Sequence, residues 1–297
     1  MSKNLLKDVA GRVLVCDGAM GTELMKRGLE PGSCPEAWNV DRPDDVRAIH
    51  KAYRDAGADV ILTNTFGGNR WKLDAYGLAG RVAELNAAAV RLARKVAGRA
   101  GYVFGDIGPT GRFVAPLGLD PREAFVEVFR EQANALAAAG ADAIILETFT
   151  AIDELAAAVE AARSTGLPVA ASMSFSRDAA GTFHTMMGVD IPSAVRALDA
   201  ASADIVAANC GTGAEDYPDI ARALCAATSR PVMVEPNAGM PHLVDGRTVF
   251  PMSAQEMARY AREILAAGVR IIGGCCGTTP EHIRAIRRVV DESRPRR

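Results

Sequence analysis

Eight times along this 297-residue chain a short apolar run ends in polar residues and gives way to a segment of helical length. The runs fall at 13–18, 60–68, 102–108, 143–149, 168–175, 203–210, 231–237 and 270–276. Val60-Ile61-Leu62-Thr63-Asn64-Thr65-Phe66-Gly67-Gly68 shows the unit complete: apolar strand, polar tip, glycine loop. The runs are nearly continuous in hydrophobicity rather than alternating, the pattern of strands buried on both faces of a parallel sheet. Between and after them lie alanine-rich or amphipathic segments at 43–57, 81–97, 122–139, 152–165, 193–200, 217–227, 254–267 and 281–291. Pro43, Asp44 and Asp45 open the first of these, placing acidic residues where a helix N-terminus favours them. Eight strand-helix units predict an α/β protein with a (β/α)8 TIM barrel, one domain over 1–297. The competing doubly wound sheet lacks its G-x-G-x-x-G after the first strand. Ala19-Met20-Gly21-Thr22-Glu23, small and following Asp17-Gly18, reads as a turn.

In such a barrel the chemistry gathers at the C-terminal ends of the strands. Those ends carry Asp17-Gly18, Thr63-Asn64-Thr65, Asp106, Glu147-Thr148, Ser172 and Ser174, Asn209-Cys210, Glu235 with Asn237, and Cys275-Cys276. Adjacent cysteines make a poor disulfide, because the bridge prefers Cα atoms farther apart than consecutive residues allow. Two thiolates in one strand-end loop suit a soft metal instead. Cys210 is the third strand-end cysteine, and three sulfurs suit zinc with a fourth position left for water or substrate. Three thiolates make the centre a weak Lewis acid toward carbonyls but keep a bound thiolate electron-rich, which points to a thiol substrate. Cys16, Cys34 and Cys225 read as small apolar residues, and no C-x-x-C pair is present to build a structural four-cysteine site.

An amino-acid thiol needs an acceptor for its ammonium and donors for its carboxylate. Asp17 and Glu147 are placed to accept from the ammonium, with Glu235 a weaker candidate; the alternative for each is a helix cap or an ion pair. The backbone amides of Gly18 and Ala19, or the helix start after Thr148, are candidates for the carboxylate. His50 and His282 fall in helices and read as surface or packing residues, while His184 and His242 fall in loops. Met186, Met187 and Met233 read as core. With 34 basic and 36 acidic residues well mixed, the net charge of -2 offers no face for nucleic acid or an anionic membrane. The N-terminus turns charged before a signal-peptide core develops and no apolar run is long enough for a bilayer, so the expected location is cytoplasmic.

Taken together, Asp17-Gly18-Ala19-Met20-Gly21-Thr22, Thr63-Asn64-Thr65-Phe66, Glu147-Thr148-Phe149, Asn209-Cys210, Pro236-Asn237-Ala238-Gly239 and Gly273-Gly274-Cys275-Cys276-Gly277-Thr278-Thr279-Pro280 resemble the homocysteine S-methyltransferase family over nearly the whole chain. The resemblance implies a zinc-binding barrel that methylates homocysteine to methionine, with Cys210, Cys275 and Cys276 as metal ligands. It also implies that Asp17, Gly18, Ala19, Thr65, Glu147 and Asn237 lie around homocysteine, with no side chain acting as a covalent intermediate. Gly108-Pro109-Thr110-Gly111-Arg112 and Pro116-Leu117-Gly118 are most similar to the homocysteine domain of the cobalamin-dependent methionine synthases. Those enzymes carry their corrinoid on the same chain, whereas this sequence ends soon after its eighth helical segment. The expected methyl donor is therefore a methylcorrinoid (methylcobalamin) carried by a separate protein. The alternatives are a small onium donor such as S-methylmethionine or a betaine, a different acceptor thiol, or a non-catalytic homocysteine- and zinc-binding module of a larger complex. The sequence is silent on oligomeric state.

Overall fold

The apolar runs pair side by side, all of them parallel. In the computed structural model, which describes residues 4–244 and 247–293, they form β1 (Leu14–Val15), β2 (Val60–Leu62), β3 (Tyr102–Ile107), β4 (Ala143–Phe149), β5 (Val169–Met173), β6 (Ile205–Gly213), β7 (Val232–Asn237) and β8 (Ile271–Ile272). The sheet order is β1-β8-β7-β6-β5-β4-β3-β2, and a parallel bridge between Cys16 and Val60 brings the two ends together. One major helix follows each strand: α1 (Pro43–Asp55), α2 (Val82–Ala97), α3 (Arg122–Ala138), α4 (Ile152–Arg163), α5 (Ile191–Ala200), α6 (Tyr217–Ala227), α7 (Ala254–Ala266) and α8 (Pro280–Glu292). This is the (β/α)8 barrel that the repeated unit predicts.

The continuous hydrophobicity of the strands has a direct cause in the packing. Leu14, Tyr102, Phe104, Ile145, Met233 and Ile271 point inward and form one buried cluster inside the barrel. Their chain neighbours Val15, Val103, Ile144, Val234 and Ile272 belong to the second cluster, between sheet and helices. Both faces are dry, so both must be apolar.

Three local readings change. The first is a helix at Leu5–Gly11, missing from the sequence analysis, whose Leu5 and Val9 join the interior cluster. Arg270, just before β8, donates to the carbonyls of Val9 and Ala10 (both 2.8 Å), so this helix sits under the N-terminal ends of the strands and plugs them. It escapes a search for strand-helix units because it precedes the first strand and has only seven residues. The second is the stretch after β1, which is helical over Met20–Lys26 rather than a turn. Residues 20–26 contain Met, Glu, Leu, Met and Lys, good helix formers that outweigh Gly21. The third concerns Met186 and Met187, which are exposed rather than core because they follow an antiparallel pair, Ser176–Arg177 with Phe183–His184, in the connection from β5 to α5. Met233 is buried. No helix among the described residues is long and apolar enough to cross a membrane.

The plug is distant from the barrel mouth and contributes through burial alone. A Leu5→Ala variant is expected to lose about 2–4 kcal/mol of stability, the usual cost of truncating a buried leucine, while its metal content stays at the wild-type level. Urea unfolding and metal analysis of the same preparation measure both quantities.

Candidate metal centre and substrate pocket

Two irregularities at the rim of the barrel aim the functional side chains. The β6–β7 ladder shifts register between Asn209 and Gly213, and the β4–β5 ladder between Leu146 and Phe149. Bulges of this kind bend a strand end and redirect its side chains. Cys210 (φ 58°) and Thr148 (φ 64°) sit within them in the left-handed region, where a residue with a Cβ is strained by about 1–3 kcal/mol. Gly211 follows at φ 72°, and a Cβ there would lie 2.2 Å from the Phe175 carbonyl oxygen. The sheet therefore turns sharply at Cys210, and Tyr217 of α6 holds the turn by donating to the Cys210 carbonyl (2.9 Å).

The other two cysteines arrive on a chain that leaves the ladder early. The last apolar run predicts a strand reaching 276, but β8 ends at Ile272, where Gly273 passes too close to the end of β1 for regular pairing and Gly274 packs against Thr278. A Cβ on Gly273 would lie 2.7 Å from that of Cys16. The amides of Gly274 and Cys275 instead donate to Asp17 O (3.0 Å) and Pro236 O (2.8 Å), stitching the segment between β1 and β7. Thr278 finishes the work: its hydroxyl donates to Cys275 O (2.7 Å) and accepts from Ala19 N (3.1 Å).

These constraints bring the sulfurs of Cys210, Cys275 and Cys276 within 4.8 Å of one another, with Cys275 and Cys276 Sγ 4.0 Å apart. A tetrahedral zinc with bonds of ~2.3 Å separates its sulfurs by ~3.8 Å, so the spacing and the all-sulfur donor set fit that ion. The thiols of Cys275 and Cys276 hydrogen-bond Cys210 and lower its pKa, while their own are raised. Cys16, Cys34 and Cys225 lie outside this cluster, as read from the sequence.

The sulfurs form one wall of a cavity of about 310 Å³ at the barrel mouth. Asp17, Gly18, Ala19, Thr65 and Glu147 line it as well. Asn237 does not; it stands behind Cys210, to whose sulfur its side chain hydrogen-bonds. Thr65 is fully buried, and its hydroxyl donates to Asp106 O (2.6 Å) and pairs with the Thr63 hydroxyl (2.6 Å), so it also ties β2 to β3. Of the two backbone amides expected to meet a carboxylate, that of Ala19 is engaged by Thr278. Gly18 packs so closely that a Cβ would lie 2.7 Å from Thr278 Oγ1 and 2.8 Å from the Tyr53 ring.

Among the described residues no lysine, arginine or histidine lines the cavity, yet Asp17, Glu36, Asp106 and Glu147 do. Burial pushes the pKa of Asp17 and Asp106 well up and that of Glu147 to about 7, with repulsion among the carboxylates adding to the rise for Asp17 and Asp106. Asp17 accepts from Leu62 N (3.1 Å). Glu235 is buried below, hydrogen-bonded to the Cys16 thiol, and is not part of the cavity wall. Two residues beyond the expected set stand out. Asn209, noted in the sequence as a strand tip and within the Asn209-Cys210 motif but given no role, links both rim bulges to Cys275. Asp106 enters the cavity beside Glu147; its place at the end of β3 is the one signal the sequence carries.

The family described as homocysteine S-methyltransferase matches residues 14–290. Among curated relatives, the methionine synthase of Mycobacterium tuberculosis is 36% identical over 304 residues and that of Mycobacterium leprae 34% over 302. In both cases the match covers 95% of this chain and 25% of the relative, so the chain spans about a quarter of their length. Among solved structures, the homocysteine methyltransferase MmuM of Escherichia coli in its metallated form superposes with a TM-score of 0.78 at 29% identity, covering 96% of this chain and 99% of that one. A methyltransferase from Methanosarcina mazei shares the fold, with a TM-score of 0.61 at 14% identity and 97% of each chain covered. With a match over residues 14–290 and these relatives, the chain belongs to the homocysteine S-methyltransferase family.

Proposed function

We propose that this barrel methylates the thiol of homocysteine to give methionine, with zinc held by Cys210, Cys275 and Cys276. The observation that carries the reading is the gathering, around one small cavity, of three clustered sulfurs and a set of carboxyl groups, with no basic residue among the described lining side chains. Bound there, zinc supplies the Lewis acidity that keeps the acceptor sulfur ionised at neutral pH, where a free thiol of pKa ~8.5 is mostly protonated. The rest falls to the chain. Asp17 and Glu147 supply the carboxyl groups that receive the substrate ammonium, Gly18 and Thr65 shape the floor, and Asn237 supports Cys210 from behind. Fixing the acceptor in one pose against an incoming methyl group removes the entropic cost of their encounter. In the transfer, the sulfur-carbon bond forms as the donor-carbon bond breaks, and the bonding pair leaves with the donor.

For the donor we favour a methylcorrinoid carried by a separate protein. The connections at the C-terminal face of the barrel expose Phe113, Leu117, Leu119, Met186 and Leu243, apolar surface suited to a docking protein and not needed by a small onium compound. MmuM, a homocysteine methyltransferase whose chain this one covers to 99%, is among the structural neighbours, which keeps a small donor as the second reading. The zinc-loaded protein is mixed with homocysteine and, separately, with methylcobalamin free and protein-bound, S-methylmethionine, and betaine. Methionine from the corrinoid donors is the expected result. Methionine from an onium donor alone moves the assignment to that donor, and methionine from none of them overturns the proposed reaction.

A further inference from the structure

We propose that Tyr53 is a positioning residue of the cavity: together with Thr278 it holds the floor at 17–19 in fixed register with the cysteine loop at 274–276, so that one amino-acid thiol can meet both at once. The inference rests on the assignment of homocysteine to this cavity and deepens it by naming what sets the spacing between floor and sulfurs.

The two segments come from opposite ends of the chain, and the sheet does little to join them. The β1–β8 ladder pairs only Leu14 with Ile271 and Val15 with Ile272. Past it, Cys16 N donates to Ile272 O (2.8 Å) and Gly274 N to Asp17 O (3.0 Å). From there the join passes to side chains. Tyr53 is fully buried on α1, and its hydroxyl reaches one carbonyl on each side of the seam, Ala19 O at 2.9 Å and Thr278 O at 3.0 Å. A phenol has a single proton to donate, so the two carbonyls converge on it. Burial pushes the pKa of the phenol well up, which keeps that proton in place. Thr278 closes the link, its hydroxyl accepting from Ala19 N (3.1 Å) and donating to Cys275 O (2.7 Å). The backbone N–H and carbonyl of Ala19 are thus both engaged, and Gly18 lies against the Tyr53 ring, where a Cβ would be 2.8 Å away. Neither Tyr53 nor Thr278 lines the cavity, so both act through the residues they hold. The substrate makes the spacing matter, because only a short methylene chain separates its sulfur from its amino-acid end. A misplacement of about 1 Å between two such anchors can cost ~100-fold in rate.

The test titrates the zinc-loaded protein with homocysteine and with 2-mercaptoethanol, which has the thiol and no amino-acid end, and reads dissociation constants by calorimetry. Tyr53→Phe keeps the ring against Gly18 and removes only the shared donor. It is expected to bind homocysteine about tenfold more weakly than wild type. Its zinc content and its affinity for 2-mercaptoethanol are expected to stay within about twofold of wild type, which also reports that it is folded. Thr278→Val is expected to lose homocysteine affinity at least as far, and Thr278→Ser, which keeps the hydroxyl, to remain within about twofold of wild type. A merely structural role would weaken both thiols alike or neither. Unchanged homocysteine affinity in Tyr53→Phe overturns the proposal, as does an equal loss for the two thiols. Equal homocysteine affinity in Thr278→Val and Thr278→Ser overturns it whether or not Tyr53→Phe folds. Wild type that binds homocysteine no more tightly than 2-mercaptoethanol defeats the homocysteine assignment and the inference with it.

Discussion

Cys210→Ala and Cys275→Ala are each expected to purify with little zinc, against about one ion per chain in wild type, and to lose methyl transfer almost completely. Removing one sulfur leaves two protein ligands where the catalytic pattern requires three. Loss of an outer partner of a metal ligand already costs roughly 10–100-fold in affinity or activity, and loss of a ligand itself costs more. The fold is expected to survive, because the three sulfurs sit at the barrel mouth while the apolar clusters lie between and beneath the strands. Cys16→Ala is the matched control. Its thiol is fully buried, reaches Asp17 rather than the other sulfurs, and is expected to leave zinc content unchanged. Metal analysis after dialysis reads the difference. Full zinc retention in both cavity variants would remove the three-sulfur centre from the account.

The ease of locating those cysteines in the sequence has a physical source. Strand ends in a parallel barrel are marked by a change from apolar to polar residues, so Cys210 and the pair at 275 and 276 could be placed on one face before any coordinates. The same rule placed Asp17, Thr65 and Glu147, and all three line the cavity. It did not separate lining from support. Asn237 carries the same tip signature and stands behind a sulfur instead, because the β6–β7 register shift between Asn209 and Gly213 alters which side chain faces the opening. Bulges have no simple sequence signal, and here they occur at Thr148 and Cys210, neither of them glycine. Asp106 was visible as a strand end without a role, since only the packing of β3 against β4 shows its carboxyl beside that of Glu147. The helix at Leu5–Gly11 was missed for the opposite reason: its meaning lies in what it plugs, a property of the closed barrel and not of its own seven residues.

Asn209→Ala is the variant that separates barrel integrity from the positioning of the sulfurs. The side chain is fully buried at the end of β6, and each of its polar atoms is used. Its carbonyl oxygen accepts from Thr148 N (2.7 Å) and Ser172 Oγ (2.6 Å); its amide nitrogen donates to Thr148 Oγ1 (2.7 Å) and Cys275 Sγ (3.7 Å). Alanine leaves the half-buried Thr148 amide and the buried Ser172 hydroxyl without their acceptor, releases the strained turn at Thr148, and removes the donor to the Cys275 sulfur. The stability loss is expected to be about 2–4 kcal/mol, from groups left unpaired in a dry environment. That figure alone does not distinguish Asn209 from any other buried polar residue, and Leu5→Ala is expected to cost as much at the opposite end of the barrel. The two variants part in their metal affinity. Competition with a chelator at 25 °C is expected to show zinc binding weakened by roughly 10–100-fold in Asn209→Ala, as for other residues that orient a metal ligand, and unchanged in Leu5→Ala. Methyl transfer measured at saturating zinc is expected to stay low in Asn209→Ala, because refilling the site does not restore the direction of the Cys275 sulfur. If Asn209→Ala loses stability while holding zinc as tightly as Leu5→Ala does, the residue is a barrel strut, and the alignment of Cys275 is set by Thr278 and the backbone contacts of 273–276.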